Sequence, residues 1–113
     1  MGRRGEDDEK YWEFNKKIRE RDKNMCVLCR ILTPGEYAQF MKSNPLMIGK
    51  IDVAHIIPVG NDPAKYCDMD NAVCLCRCHH QRLDSYQDPV TGKNCKKSDH
   101  EKWWERIKKF VFK

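Results

Sequence analysis

The sequence predicts a small α+β domain in which a two-stranded hairpin and a helix are supported by a zinc knuckle and flanked by a helix at each end. The Cys-x-x-Cys pair of Cys26 and Cys29 is followed, much later in the chain, by a second segment rich in Cys and His. A run of β-branched residues between them predicts a strand, and apolar residues at helical spacing occur near both ends. With 113 residues, one domain spanning 1–113 is expected. A chain this small often adds a metal to its core.

Composition limits the possible classes of protein. No apolar run is long enough to span a membrane, and the N-terminus lacks the apolar segment of a secretory signal. An intracellular, reducing location is therefore expected. There, an odd number of cysteines, seven, of which several lie in close-spaced clusters, favours metal binding over disulfides. Residues 93–113 contain eight Lys or Arg and three Asp or Glu, a charge of +5 that suits contact with a phosphate backbone.

The first predicted element is a helix over residues 6–21. Its acidic start and basic end complement the helix dipole. Tyr11, Phe14 and Ile18 form a stripe at helical spacing, which we interpret as core packing.

The knuckle at Cys26 and Cys29 lets two thiolates face one ion. A redox pair has the same spacing, but the βαβ context of a redox motif is missing. Between the knuckles, a short helix is predicted over residues 36–42, with Phe40 and Met41 packing against the zinc-centred scaffold.

Residues 51–57 are predicted to form the first strand, closed by a proline. Alternation places His55 with Val53 on one face and Asp52 with Ala54 on the other. A turn at residues 60–63, a second strand over 72–75 and a helix over about 78–86 then complete a ββα unit.

A last helix is predicted over residues 98–112. Ser98 as N-cap and Glu101 at the third helical position fit a capping box. An apolar stripe on this helix comprises Trp103, Ile107 and Phe110. Basic residues that could contact DNA or face solvent are Lys102, Arg106 and Lys109.

Taken together, His55, Asn71 and His80, framed by the two knuckles, resemble the ββα-metal motif of HNH endonucleases, over roughly residues 19–86. The resemblance implies a core at residues 26–86 and metal-dependent hydrolysis of DNA that leaves a 5′-phosphate and a 3′-hydroxyl. It also implies that His55 is the general base, that Asn71 orients the hairpin, and that His80 binds the catalytic metal.

The second knuckle departs from the usual family pattern of Leu-Cys-x-x-Cys-His. Alignment with that pattern puts His79 in place of the second cysteine, which implies a structural zinc held by Cys26, Cys29, Cys76 and His79. The alternative pairs Cys76 with Cys78 and makes His79 the final histidine of the motif. The other cysteines are expected to be small buried residues: Cys67, Cys74 and Cys95.

A second departure lies at Ala54, where the family usually has an Asp or His that contributes to the metal site. Asp52 shares the strand face of Ala54, and Asp84 stands four residues after His80 on the same helix face. Either carboxylate could complete the site, and oxygen ligands favour Mg²⁺ or Mn²⁺.

Two functions follow from the resemblance. One is an active DNA endonuclease, and the other is a catalytically degenerate, zinc-stabilised DNA-binding module. Compact HNH proteins of this kind resemble those of bacteriophages and prophages, so phage DNA-packaging proteins are possible partners.

Overall fold

The structure, a computed structural model, describes residues 4–57 and 66–112, with side chains from residue 9 onward. The turn predicted at 60–63 lies outside the described residues. In the described part, no helix has the length and apolarity needed to cross a membrane. The helices in chain order are α1 (Arg4–Arg21), α2 (Val27–Ile31), α3 (Pro34–Lys42), α4 (Arg77–Asp84) and α5 (Lys97–Val111). The strands are β1 (Ile51–His55) and β2 (Ala72–Cys76).

The two strands form an antiparallel hairpin that separates two apolar clusters. In register, His55 faces Ala72 and Asp52 faces Leu75. One side of β1 packs on α1, and the other side packs with α2, α4 and α5. The predicted α+β class, with ββα order in the centre, is confirmed.

Strand β1 ends at His55, two residues before the predicted end. The backbone N–H of Ile57 donates to the Asn71 side-chain oxygen, and the Asn71 side-chain nitrogen donates to the Ile57 carbonyl. Because a side chain takes these two backbone groups, the regular ladder stops there.

Helix α1 packs its apolar stripe against the hairpin. Phe14 and Ile18 are buried, and Tyr11 packs beside them, as the sequence predicts. Trp12 lies off this stripe and is 73% exposed.

Helix α3 begins two residues before its predicted start. Thr33 and Glu36 form a reciprocal capping box, and Pro34 occupies the first turn, where its missing N–H costs nothing. Phe40 is buried as predicted, but the prediction for Met41 is wrong, since this side chain is 43% exposed.

Helix α5 begins before Ser98, so the predicted N-cap is wrong. Lys96 holds the N-cap position and makes no side-chain capping bond. The N–H of His100 bonds to the Lys96 carbonyl, which extends helical hydrogen bonding back past Ser98. The predicted stripe packs on the core, with Ile107 buried and Trp103 and Phe110 half-buried.

Candidate metal centres and active site

Four potential metal ligands converge where α2 meets the junction of β2 and α4. Cys26 caps α2 and Cys76 caps α4, and each sulfur accepts a backbone N–H three residues on, from Cys29 and His79 respectively. The ligand atoms of these four residues all lie within 4.8 Å of one another. Two capping turns thus bring together the four residues predicted to bind zinc.

The spacing inside this cluster matches a tetrahedral metal site. His79 Nδ1 lies 3.5 Å from the sulfurs of Cys26 and Cys29 and 3.4 Å from the sulfur of Cys76. Tetrahedral zinc, with Zn–S of about 2.3 Å and Zn–N of about 2.0 Å, separates sulfur and nitrogen ligands by about 3.5 Å. One proton on Nδ1 could not serve three sulfurs, whereas one cation could.

The surroundings of the cluster favour a bound cation. Cys76 and His79 are fully buried. Hydrogen bonds from Cys29 and Cys76 lower the pKa of the Cys26 thiol, while the hydrogen bond with Cys26 raises the pKa of Cys29. His79 Nε2 is buried without a hydrogen-bond partner among the described residues, and its ring stacks on Phe40 at 4.1 Å. The three sulfurs and one imidazole therefore have the chemistry of a Cys₃His zinc site.

The remaining cysteines lie outside this cluster. Cys78, the alternative ligand, is buried, and burial raises the pKa of its thiol. Cys74 is buried and Cys95 is partly buried, but Cys67 is exposed, so the prediction of a buried Cys67 is wrong. Cys67 follows the undescribed segment and sits in a turn.

A second polar cluster surrounds His80 on the α4 side of the hairpin. His80 Nδ1 lies 3.0 Å from an Asp52 oxygen, and His80 Nε2 lies 3.3 Å from an Asp84 oxygen. Strand β1 supplies Asp52, and α4 supplies Asp84 one turn after His80. Both predicted carboxylates therefore contact the predicted metal-binding histidine, at opposite ring nitrogens.

The two carboxylates differ in their other contacts. Arg77 donates two hydrogen bonds to Asp52, of 3.2 and 3.4 Å. Burial acts to raise the pKa of Asp52, but the hydrogen bonds from Arg77 and His80 outweigh it and hold the pKa below the ordinary value. The side chain of Asp84 is 66% exposed. Asp52 is thus an ionised, fixed partner, whereas Asp84 faces solvent.

The other predicted catalytic residues lie at the end of β1. His55 shares the α1 face of the strand, where its ring stacks between Phe14 at 6.1 Å and Tyr66 at 5.7 Å. His55 Nε2 lies 2.9 Å from the Tyr66 carbonyl oxygen. Asn71 is buried and bonds to Ile57 through both side-chain atoms. Asn71 thus ties the start of β2 to the segment that follows His55.

Comparison with known proteins decides the family. The HNH endonuclease family model matches residues 26–87, more than half of the chain. The chain belongs to the HNH endonuclease family. No curated protein and no solved structure is significantly similar to it. The HNH segment contains both the Cys₃His cluster and the cluster around His80.

The basic residues predicted to contact DNA lie beyond the HNH segment, on α5. Lys102 and Lys109 are exposed. Arg106 instead donates two 3.0 Å bonds to Glu36 and one to the Ile31 carbonyl. This pairing gives Arg106 a role in holding α5 against α3.

Sequence reasoning missed Arg77 and Tyr66 as neighbours of the HNH residues. Arg77 had a detectable signal, because it lies three residues before His80 and shares its helix face. The Tyr66 carbonyl had none, since any residue can supply a backbone oxygen.

Proposed function

We propose that this HNH protein is a metal-dependent DNA endonuclease that leaves a 5′-phosphate and a 3′-hydroxyl. The observation that carries the proposal is the placement of His80 between two carboxylates within the segment that matches the HNH family. Imidazole and carboxylate groups suit a divalent ion used in phosphodiester hydrolysis.

In this proposal His80 and Asp84 hold the catalytic ion and Asp52 positions His80. Only one ring nitrogen can face a single ion. Asp52, already paired with Arg77, suits the partner role, in which a carboxylate accepts the other ring N–H and orients the ligand. The exposed Asp84 is then the oxygen ligand beside Nε2. A bound Mg²⁺ or Mn²⁺ would stabilise negative charge on the phosphate and the leaving oxygen.

His55 serves as the general base. A carbonyl oxygen only accepts hydrogen bonds, so the Tyr66 contact assigns the proton of the neutral ring to Nε2. Nδ1 then carries the lone pair that takes a proton from the attacking water. Phe14 and Tyr66 restrict the rotation of the ring, and Asn71 fixes the backbone that follows it.

A degenerate, zinc-stabilised DNA-binding module is the second candidate. The observation that favours it is Ala54, which is 2% exposed and supplies no ligand where the family usually has one. In either case DNA is the expected partner, contacted in part by the exposed Lys102 and Lys109. Phage DNA-packaging proteins as partners and an intracellular location remain proposals that rest on the family resemblance and the composition.

The test is cleavage of supercoiled plasmid by the purified protein with EDTA, Mg²⁺ or Mn²⁺. His55→Ala should abolish metal-dependent nicking. The matched control is His100→Ala, which removes a histidine of α5 whose ring bonds to the Leu83 carbonyl of α4, and this variant should remain active. Retained nicking in His55→Ala removes His55 as the base. DNA binding without cleavage in any metal favours the degenerate module.

A further inference from the structure

Helix α1 contacts the HNH core at the candidate catalytic residues, although it precedes the segment that matches the family. Arg21, at its end, donates through Nη1 to the Met69 carbonyl at 2.7 Å and through Nη2 to the Ala72 carbonyl at 2.6 Å. Met69 lies two residues before Asn71, and Ala72 follows it directly. One guanidinium thus spans the backbone on both sides of Asn71.

Asp22 holds that guanidinium in place. Its carboxylate is 4% exposed and accepts hydrogen bonds from Arg21 Nε at 2.8 Å and Nη2 at 3.0 Å. It also accepts the Cys74 backbone N–H at 2.9 Å, which anchors the pair to β2. The planar guanidinium of Arg21 thus bonds to two backbone carbonyls and to the buried Asp22 carboxylate at the same time.

Asn71 is hydrogen-bonded to the two residues that follow β1. Its side chain bonds to both backbone groups of Ile57, and its carbonyl oxygen accepts the Ile56 N–H at 2.9 Å. Ile56 and Ile57 directly follow His55. Arg21 thus holds the backbone on both sides of Asn71, and Asn71 in turn bonds to the two residues that follow His55. The end of α1 is therefore connected to the backbone next to His55 through residues 69–72.

We propose that Arg21, held by Asp22, is a positioning residue for Asn71 and, through it, for His55. This inference rests on the proposed function in taking His55 as the base. Small displacements of a reacting group can reduce rate as much as about a hundredfold, so a restraint of this kind affects turnover more than DNA binding.

The chain offers a matched control two residues earlier on α1. Arg19 is also partly buried, and its Nη2 donates to the Ile51 carbonyl at 3.1 Å. Ile51 is at the opposite end of β1 from His55. Arg19→Lys removes a similar tie between α1 and the hairpin without touching the segment around Asn71.

The experiment compares Arg21→Lys, Asp22→Asn and Arg19→Lys in the full, zinc-loaded chain. Plasmid nicking gives kcat and KM, and NMR gives the ring resonances of His55, with those of His79 as an internal reference. We expect Arg21→Lys to lower kcat by about tenfold or more with less than about a twofold change in KM, because lysine cannot span two carbonyls and a carboxylate. The His55 resonances should shift, and Arg19→Lys should change neither readout.

Unchanged His55 resonances in Arg21→Lys would overturn the proposal, as would equal effects of Arg21→Lys and Arg19→Lys. If Arg21→Lys does not fold, Asp22→Asn decides by the same readouts. If neither folds, Arg21 is a folding residue and the positioning role is refuted. If the wild-type protein does not nick DNA, the proposed function fails while the His55 resonances still decide the positioning.

Discussion

Replacing Cys29 with serine tests the structural-zinc assignment, because it removes one thiolate from the Cys₃His cluster. The serine hydroxyl stays protonated at neutral pH and is a poor ligand for zinc. Cys26, Cys76 and His79 would then remain buried, or nearly so, around an incomplete site. Their buried sulfur and nitrogen atoms would then lack the one cation that can bind all of them at once.

The expected loss is large relative to the stability of the whole domain. Structural zinc contributes on the order of 10 kcal/mol in small metallo-domains, and a domain of this length has a net stability on the order of 10 kcal/mol. The cluster connects α2 to the β2–α4 junction. It lies next to fully buried core residues, namely Val27, Leu28 and Leu75. Without zinc, the domain should therefore lose cooperative folding.

Thermal unfolding followed by circular dichroism, together with the zinc content of the purified protein, measures this effect. Wild type should contain one zinc per chain and lose its transition when a strong chelator is added. Cys29→Ser should show no cooperative transition, whereas Cys95→Ser, at a partly buried cysteine outside the cluster, should match wild type. A Cys29→Ser variant that is folded, free of zinc and as stable as wild type would refute the structural-zinc assignment.

Three further predictions concern the candidate catalytic metal site, the Glu36–Arg106 ion pair and the core beneath His79. Asp84→Ala should raise the Mg²⁺ concentration for half-maximal cleavage at least about tenfold; if only Asp52→Ala does so, the assigned ligand is wrong. Hydrogen bonds from Arg106 lower the pKa of Glu36 from 4.5 to about 2, so this carboxylate stabilises the fold above pH 4.5 and loses that effect as pH falls towards 2. In urea titrations Glu36→Gln should cost about 1 kcal/mol at pH 7 and less near pH 2, and equal costs would contradict the pairing. Phe40→Ala, beneath the His79 ring, should cost about 3–5 kcal/mol in the same assay, and a loss near zero would exclude Phe40 from the core.

Much of the fold follows from local patterns in the sequence. The apolar stripe at Phe14 and Ile18 predicts the buried face of α1, and the alternation along β1 predicts which side each residue faces. Element boundaries were less predictable. The end of β1 depends on a bond from the Asn71 side chain, and the start of α5 depends on a backbone bond to Lys96, neither of which has a pattern in sequence.

Local patterns and the family resemblance were enough to predict the HNH family and the ββα order. These features depend on the spacing of residue types along short segments, and spacing of this kind constrains local geometry directly. The same patterns left two sets of zinc ligands, one with His79 and one with Cys78, and the fold brings His79 together with Cys26, Cys29 and Cys76. Three contacts had no signal in these patterns: Arg77 holds Asp52, Arg106 pairs with Glu36, and Arg21 spans the backbone around Asn71. Each of these contacts joins residues from separate elements. Their meeting depends on how the helices pack on the hairpin, which no local period in the sequence specifies.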